Sequence, residues 1–199
     1  MDVDAVSTFL ALLAVLGLLF VAAVAVVALV ARVRGGLPDA IVPLREGIGD
    51  VALWLGAAVA LTCMLGSLYM SEVAKFPPCP LCWYQRICMY PLVVVLGIAA
   101  FRRDASVRWY ALPLAVIGIG FSTYHYLIER FPDSVSSFCN TDVPCSTVWV
   151  WKFHFLSIPG MAWVGFLLVG TLLLLARPAT DGAVGTPTLT DRHPEEVPA

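Results

Sequence analysis

Charge is scarce in this chain. Of its 199 residues only 13% are Asp, Glu, Lys or Arg, whereas 60% are hydrophobic and the mean hydropathy is +0.87. A soluble globular domain carries about 25% charged residues, so the shortage excludes that class and indicates an integral membrane protein. A basic surplus is missing too: a net charge of -2 and a pI near 5.8 offer no electropositive surface to nucleic acid. Neither the glycine-rich phosphate loop nor the dinucleotide fingerprint occurs, which argues against nucleotide chemistry. No feature marks a site for flavin, haem or nicotinamide.

Long apolar runs are what the sequence has instead. Ala5 to Ala31 is the first, long enough at about 1.5 Å per residue to cross roughly 30 Å of hydrocarbon. A signal peptide is the rival reading, but Asp2 and Asp4 stand where a basic n-region belongs, and Arg32 and Arg34 follow the run instead of preceding it. The residues from Arg32 to Asp50, with Gly35, Gly36, Pro38 and Pro43, read as a linker. Further spans are expected at Val51 to about Met70, Trp83 to Phe101, Trp109 to Ile128 and Ile158 to Ala176, with Pro91 kinking the third and Pro159 in the first turn of the fifth. The tail from Arg177 to Ala199 has too little apolar surface to pack and reads as disordered. The expected fold is therefore an all-α transmembrane bundle of five spans.

Orientation follows from the basic residues. Arg32, Arg34, Arg45, Arg102, Arg103, Arg108, Arg177 and Arg192 share one side, and only Lys75, Arg130 and Lys152 fall in the opposite loops, so the arginine-rich side is expected to be cytoplasmic. Six cysteines are present, and Cys79, Cys82, Cys139 and Cys145 then face outward, where disulfides persist. Cys63 and Cys88 lie within spans and read as small apolar residues.

The chemistry concentrates in Phe76 to Arg86, FPPCPLCWYQR. Cys79 and Cys82 are close enough to form a small disulfide ring, and Pro77, Pro78 and Pro80 hold it at the end of a helix. Cys82 falls in the first turn of the third span, where free N–H groups and the helix dipole favour a thiolate. Arg86 lies one turn deeper on the same face, and ionisable residues inside membrane spans usually mark function. A structural staple is the bland alternative, but so short a closure stabilises little. A metal half-site would want a second closely spaced pair, and Cys139 and Cys145 are separated by NTDVP, so no metal site is expected.

Cys139 and Cys145, beside Asn140, Asp142 and Pro144 in the long outer loop Glu129 to Ser157, are either a structural disulfide or a second dithiol. Two dithiols in adjacent outer loops are able to exchange electrons through mixed disulfides. The electrons then need an acceptor, and a membrane quinone suits the place, with Arg86 stabilising charge on a quinone oxygen and on Cys82, and His125 as a possible donor. Taken alone, His125 is more often a packed histidine. VWVWKFHF, Val148 to Phe155, is expected at the outer interface as a strand or a surface helix, and His154 and His193 carry no readable role.

From Val51 to Ala176 the chain resembles the DsbB/BdbC family of quinone-linked thiol oxidases. The likeness rests on four spans, a C-x-x-C with arginine four residues after its second cysteine, YHY late in the fourth span, and a second cysteine pair before the last span. The resemblance implies a DsbB-type four-helix redox domain at 51–176 behind an additional N-terminal helix and linker at 1–50, with a cytoplasmic tail at 177–199. It implies a bacterial cytoplasmic-membrane enzyme in which Cys79 and Cys82 pass electrons to quinone, either menaquinone or ubiquinone. Cys139 and Cys145 would oxidise a secreted thioredoxin-fold partner of DsbA or BdbD type. By the same likeness Cys139 would meet the partner, Cys145 would attack Cys79, and Cys82 would be released toward quinone. The short spacing of the second pair matches the BdbC-like branch. Two other readings stand beside this one: a vitamin-K-epoxide-reductase-like enzyme, in which the active C-x-x-C follows the other cysteines in sequence whereas here it precedes them, and a non-catalytic scaffold with structural disulfides.

Overall fold

A computed structural model describes residues 2–132, 139 and 143–177. Among them are five helices long and apolar enough to cross a membrane. Helix α1, Val3–Arg34, starts where the Asp2 side chain accepts from the Asp4 N–H, and stops at Gly35, whose φ of 76° suits a residue without a Cβ. Its 32 residues exceed what a perpendicular crossing needs. Helix α2 is Val42–Leu68 and ends in a π turn, Tyr69–Val73. It begins well inside the stretch expected to be a linker, because Pro43 falls in the first turn, where a missing N–H costs nothing.

Helix α3, Pro80–Arg102, also begins with proline in its first turn, so Cys79 is its N-cap and Cys82 lies in its first turn as expected. Pro91 lies within it and the helix runs on past it. A short 3-10 turn, Ala105–Val107, leads into α4, Arg108–Arg130, and α5 is Ile158–Leu175. Before α5 the chain makes a two-stranded antiparallel hairpin, β1 Trp151–Lys152 and β2 Leu156–Ser157, which decides the strand alternative for VWVWKFHF. Its turn carries Phe153 and His154 at positive φ, and the Tyr126 hydroxyl donates to the Phe155 carbonyl at 2.8 Å, tying the hairpin to α4.

Helices α2 to α5 form the core. Ala52, Ala60, Leu92, Leu96, Ala111, Ala115, Phe166 and Val169 meet in one apolar cluster. Small residues let the backbones approach, as membrane bundles require: a Cβ placed on Gly118 would lie 2.3 Å from the Phe166 ring. Helix α1 sits at the side of this bundle. It buries only Ser7, Ala11, Ala14 and Gly17, and Ala11 and Ala14 cluster with Leu156 and Val164. An ion pair joins Asp4 of α1 to Lys152 of the hairpin, and another joins Glu46 of α2 to Arg177 after α5. The two pairs put the start of α1 at the same end of the bundle as the hairpin, with the start of α2 and the finish of α5 at the other. Asn140, Asp142, Arg192, His193 and the tail beyond Arg177 lie outside the described residues.

Candidate functional site

The Cys79 and Cys82 sulfurs lie 3.4 Å apart as thiols at the head of α3. His125, near the end of α4, brings its Nε2 to 3.6 Å from Cys79 Sγ. Gln85, one turn into α3, lies 3.1 Å from the other ring nitrogen. With the Gln85 amide N–H donating to Nδ1, the ring proton sits on Nε2 and faces Cys79; this tautomer is assigned from the hydrogen-bond network. Cys79, Gln85 and His125 are all buried. A hydrogen bond from the Cys82 thiol holds the Cys79 thiol well below its ordinary pKa, against the opposing effect of burial and with help from His125.

Cys139 and Cys145 are joined by a disulfide. Cys145 is 1% exposed and shares one apolar cluster with Cys79, Leu81 and Ile128, while Cys82 and Cys139 pack at its edge, only partly buried. The fold thus brings all four loop cysteines together, with Cys145 on the inside and Cys139 nearer the surface.

Arg86 points the other way from His125. Its Nε donates to Ser67 Oγ at 2.9 Å and its Nη2 to the Ser67 carbonyl at 3.0 Å, with the guanidinium 5.2 Å from the centre of the Trp83 ring. This anchors α3 to the last turn of α2 just before the π turn. Beyond Arg86 opens a cavity of about 440 Å³, walled by α1, α2, α3 and α5. Cys82, Arg86 and Tyr90 line it from successive turns of α3, and Leu10, Leu13 and Gly17 line it from α1. The Tyr90 hydroxyl is buried without a hydrogen-bond partner. Apolar walls, one cation and an unsatisfied hydroxyl beside a thiol suit a flat lipophilic ring bearing polar oxygens.

Cys82 and Arg86 thus line the cavity, whereas His125, expected from the sequence as a donor to the same quinone, lies elsewhere. His125 does not line the cavity; it stands behind Cys79, across Gln85 from the open volume. The reason is helix packing, which turns that face of α4 toward the head of α3. Sequence reasoning passed over Gln85, Ser67 and Tyr90. Gln85 had a readable signal, since a polar side chain next to Arg86 in an apolar span is as costly as the arginine beside it is conspicuous. Cys88 is buried in the core, and Cys63 lines the cavity with its sulfur against Gly165.

Residues 49–176 match the family described as disulfide bond formation protein DsbB. The chain belongs to that family. It is 48% identical over 128 residues to disulfide bond formation protein C of Bacillus subtilis, covering 64% of this chain and 93% of that protein. It is 46% identical over 117 residues to probable disulfide formation protein C 2 of Bacillus anthracis, with 59% and 84% covered. A probable disulfide formation protein of Coxiella burnetii is 42% identical over 134 residues, with 66% and 91% covered. No solved structure matches. This DsbB-family chain is thus a multi-pass membrane oxidoreductase of disulfide formation, and α1 lies outside the family match.

Proposed function

We propose that this protein reoxidises a secreted thioredoxin-fold dithiol oxidase, of DsbA or BdbD type, and passes the electrons through two cysteine pairs to a membrane quinone. The observation that carries the reading is the shared cluster of Cys79 and Cys145, which sets the inner member of one pair beside the inner member of the other. Cys139, the more exposed of the second pair, is the one a soluble dithiol reaches first.

A partner thiolate attacks Cys139 Sγ, releasing Cys145 as thiolate, and the partner's second thiol then displaces Cys139, leaving the partner oxidised. Cys145 attacks Cys79 Sγ of the oxidised CPLC pair and releases Cys82. Cys139 then closes on Cys145 and releases Cys79, so two electrons now rest on the Cys79 and Cys82 thiols. The arrangement seen here, with a Cys139–Cys145 disulfide and two free thiols at Cys79 and Cys82, corresponds to that point. His125 is placed to steady charge on Cys79 as it leaves. A quinone in the cavity would supply the two-electron sink. Cys82, Arg86 and Tyr90 are the residues that would hold its ring, with Arg86 offering positive charge to a ring oxygen. Division of the chain into an N-terminal segment at 1–50, a redox domain at 51–176 and a tail from 177, with the cysteine loops outside a bacterial cytoplasmic membrane, belongs to the same proposal.

The test combines quinone reduction with trapping. Purified protein given a reduced thioredoxin-fold dithiol should reduce quinone, followed by its absorbance, and Cys145→Ser should stop this. A reduced partner that keeps only its attacking cysteine should accumulate a reducible adduct with Cys139 of the oxidised, otherwise unaltered chain, releasing Cys145, because the second thiol that would displace Cys139 is gone. Capture of the partner at Cys79 in a chain that keeps both loop cysteines would make the second pair structural and end the relay.

A further inference from the structure

The spacing of the loop cysteines argued against a metal, because Cys139 and Cys145 do not supply a second close pair. The third donor comes from α4 instead. The sulfurs of Cys79 and Cys82 and a ring nitrogen of His125 all lie within 4.8 Å of one another. Tetrahedral zinc, with Zn–S near 2.3 Å and Zn–N near 2.0 Å, sets neighbouring sulfurs about 3.8 Å apart and sulfur and nitrogen about 3.6 Å apart. The thiols here are 3.4 Å apart, and Cys79 Sγ to His125 Nε2 is 3.6 Å. Opening the sulfurs by a few tenths of an ångström and turning Cys82 toward the ring completes three ligand positions, leaving a fourth for water.

We propose that the reduced CPLC pair and His125 form a binding site for a soft divalent cation, zinc above all, which exists only in the dithiol state. Binding replaces the two thiol protons with one Zn²⁺ and releases them to solvent; no electron moves. Two thiolates and a neutral imidazole leave the bound unit without net charge, which lowers the cost of holding it in a buried place. A Cys79–Cys82 disulfide has no thiolate to offer, so oxidation empties the site. Metal held there withdraws both sulfurs from electron transfer, so zinc would stop turnover by locking the protein in its reduced form.

Gln85 fits this role as a positioning residue. A histidine that ligates through Nε2 carries its proton on Nδ1 and donates it to an oxygen. Gln85 stands 3.1 Å from Nδ1, and its amide presents either the NH₂ or the carbonyl by a half-turn. The NH₂ faces the ring when Nε2 holds its proton toward the thiolate, and the carbonyl faces it when Nε2 holds metal. The proposal stands on these donors and does not need the quinone reading.

Cobalt and zinc are the probes. The full chain with Cys139→Ser and Cys145→Ser, purified in detergent and reduced, should take up one Co²⁺, with the sulfur charge-transfer and visible bands of a tetrahedral site, and Zn²⁺ should displace it. Oxidation of the remaining pair should abolish uptake. His125→Ala should weaken Zn²⁺ binding at least 10-fold and alter the visible bands, and Gln85→Leu should weaken it roughly 10- to 100-fold. Absence of stoichiometric uptake by the reduced chain would overturn the site. So would unchanged affinity and spectrum in His125→Ala or, should that variant not fold, unchanged affinity in Gln85→Leu.

Discussion

Arg86 spends two of its donors on Ser67 and lies over Trp83, so its charge is held in place before anything enters the cavity. Preorganised charge of this kind stabilises developing negative charge without reorganisation. Arg86→Ala should slow quinone reduction roughly 100-fold, the order seen when one such donor is removed, while exchange between the cysteine pairs persists. Arg86→Lys should recover part of the rate, since lysine supplies charge but lacks the planar fork that grips both the hydroxyl and the carbonyl of Ser67. Equal quinone kinetics in wild type and Arg86→Ala would remove the residue from the site. At this scale Cys79, Cys82 and Arg86 were legible because their relation is local: two residues between the thiols and one helical turn to the cation. The place of His125 was not, because its contact with Cys79 spans 46 residues and depends on how α4 rotates against α3.

The helices were legible from length and hydropathy, and their ends from proline and glycine, with α2 as the exception. There Pro38 and Pro43 read as loop residues, yet Pro43 falls where a helix accepts it, and α2 starts at Val42. How the helices pair was not legible, since α1, α3 and α5 show no clear apolar face to choose and only α4 is distinctly two-sided. Close approach of backbones settles it. Gly118 of α4 faces Phe166 of α5, which is fully buried and has nowhere to retreat. Gly118→Ala should destabilise the bundle by about 1–3 kcal/mol, the usual cost of overpacking, read as a lower thermal midpoint in detergent. Gly120, two residues along, has open space at its Cβ, and Gly120→Ala should leave that midpoint no lower. Equal losses at both positions would show that the contact with Phe166 is not what decides them, because helix propensity alone favours alanine at either one.

For the molecule as a whole, the two ion pairs sort the helix ends into the same two groups as the arginine distribution, and the proposed orientation turns the arginine-rich end to the cytoplasm. Membrane-impermeant maleimide on intact cells, after reduction, should therefore label the loop cysteines, and Cys139 fastest, because Cys79 and Cys145 are buried. Labelling only after permeabilisation would reverse the orientation.

Helix α1 bears on how such a molecule is put together. It contributes one wall of the cavity, yet it packs mainly on α5, at the opposite end of the chain, and is pinned through Asp4 to the hairpin just before α5. In a chain made from its N-terminus, the contacts of α1 with α5 therefore cannot form until the fifth span has been made. Contacts so distant in sequence form late. The cysteine loop between α2 and α3 is in place before the chamber beside it is closed, so the nascent protein acquires its reactive thiols first and their enclosure last.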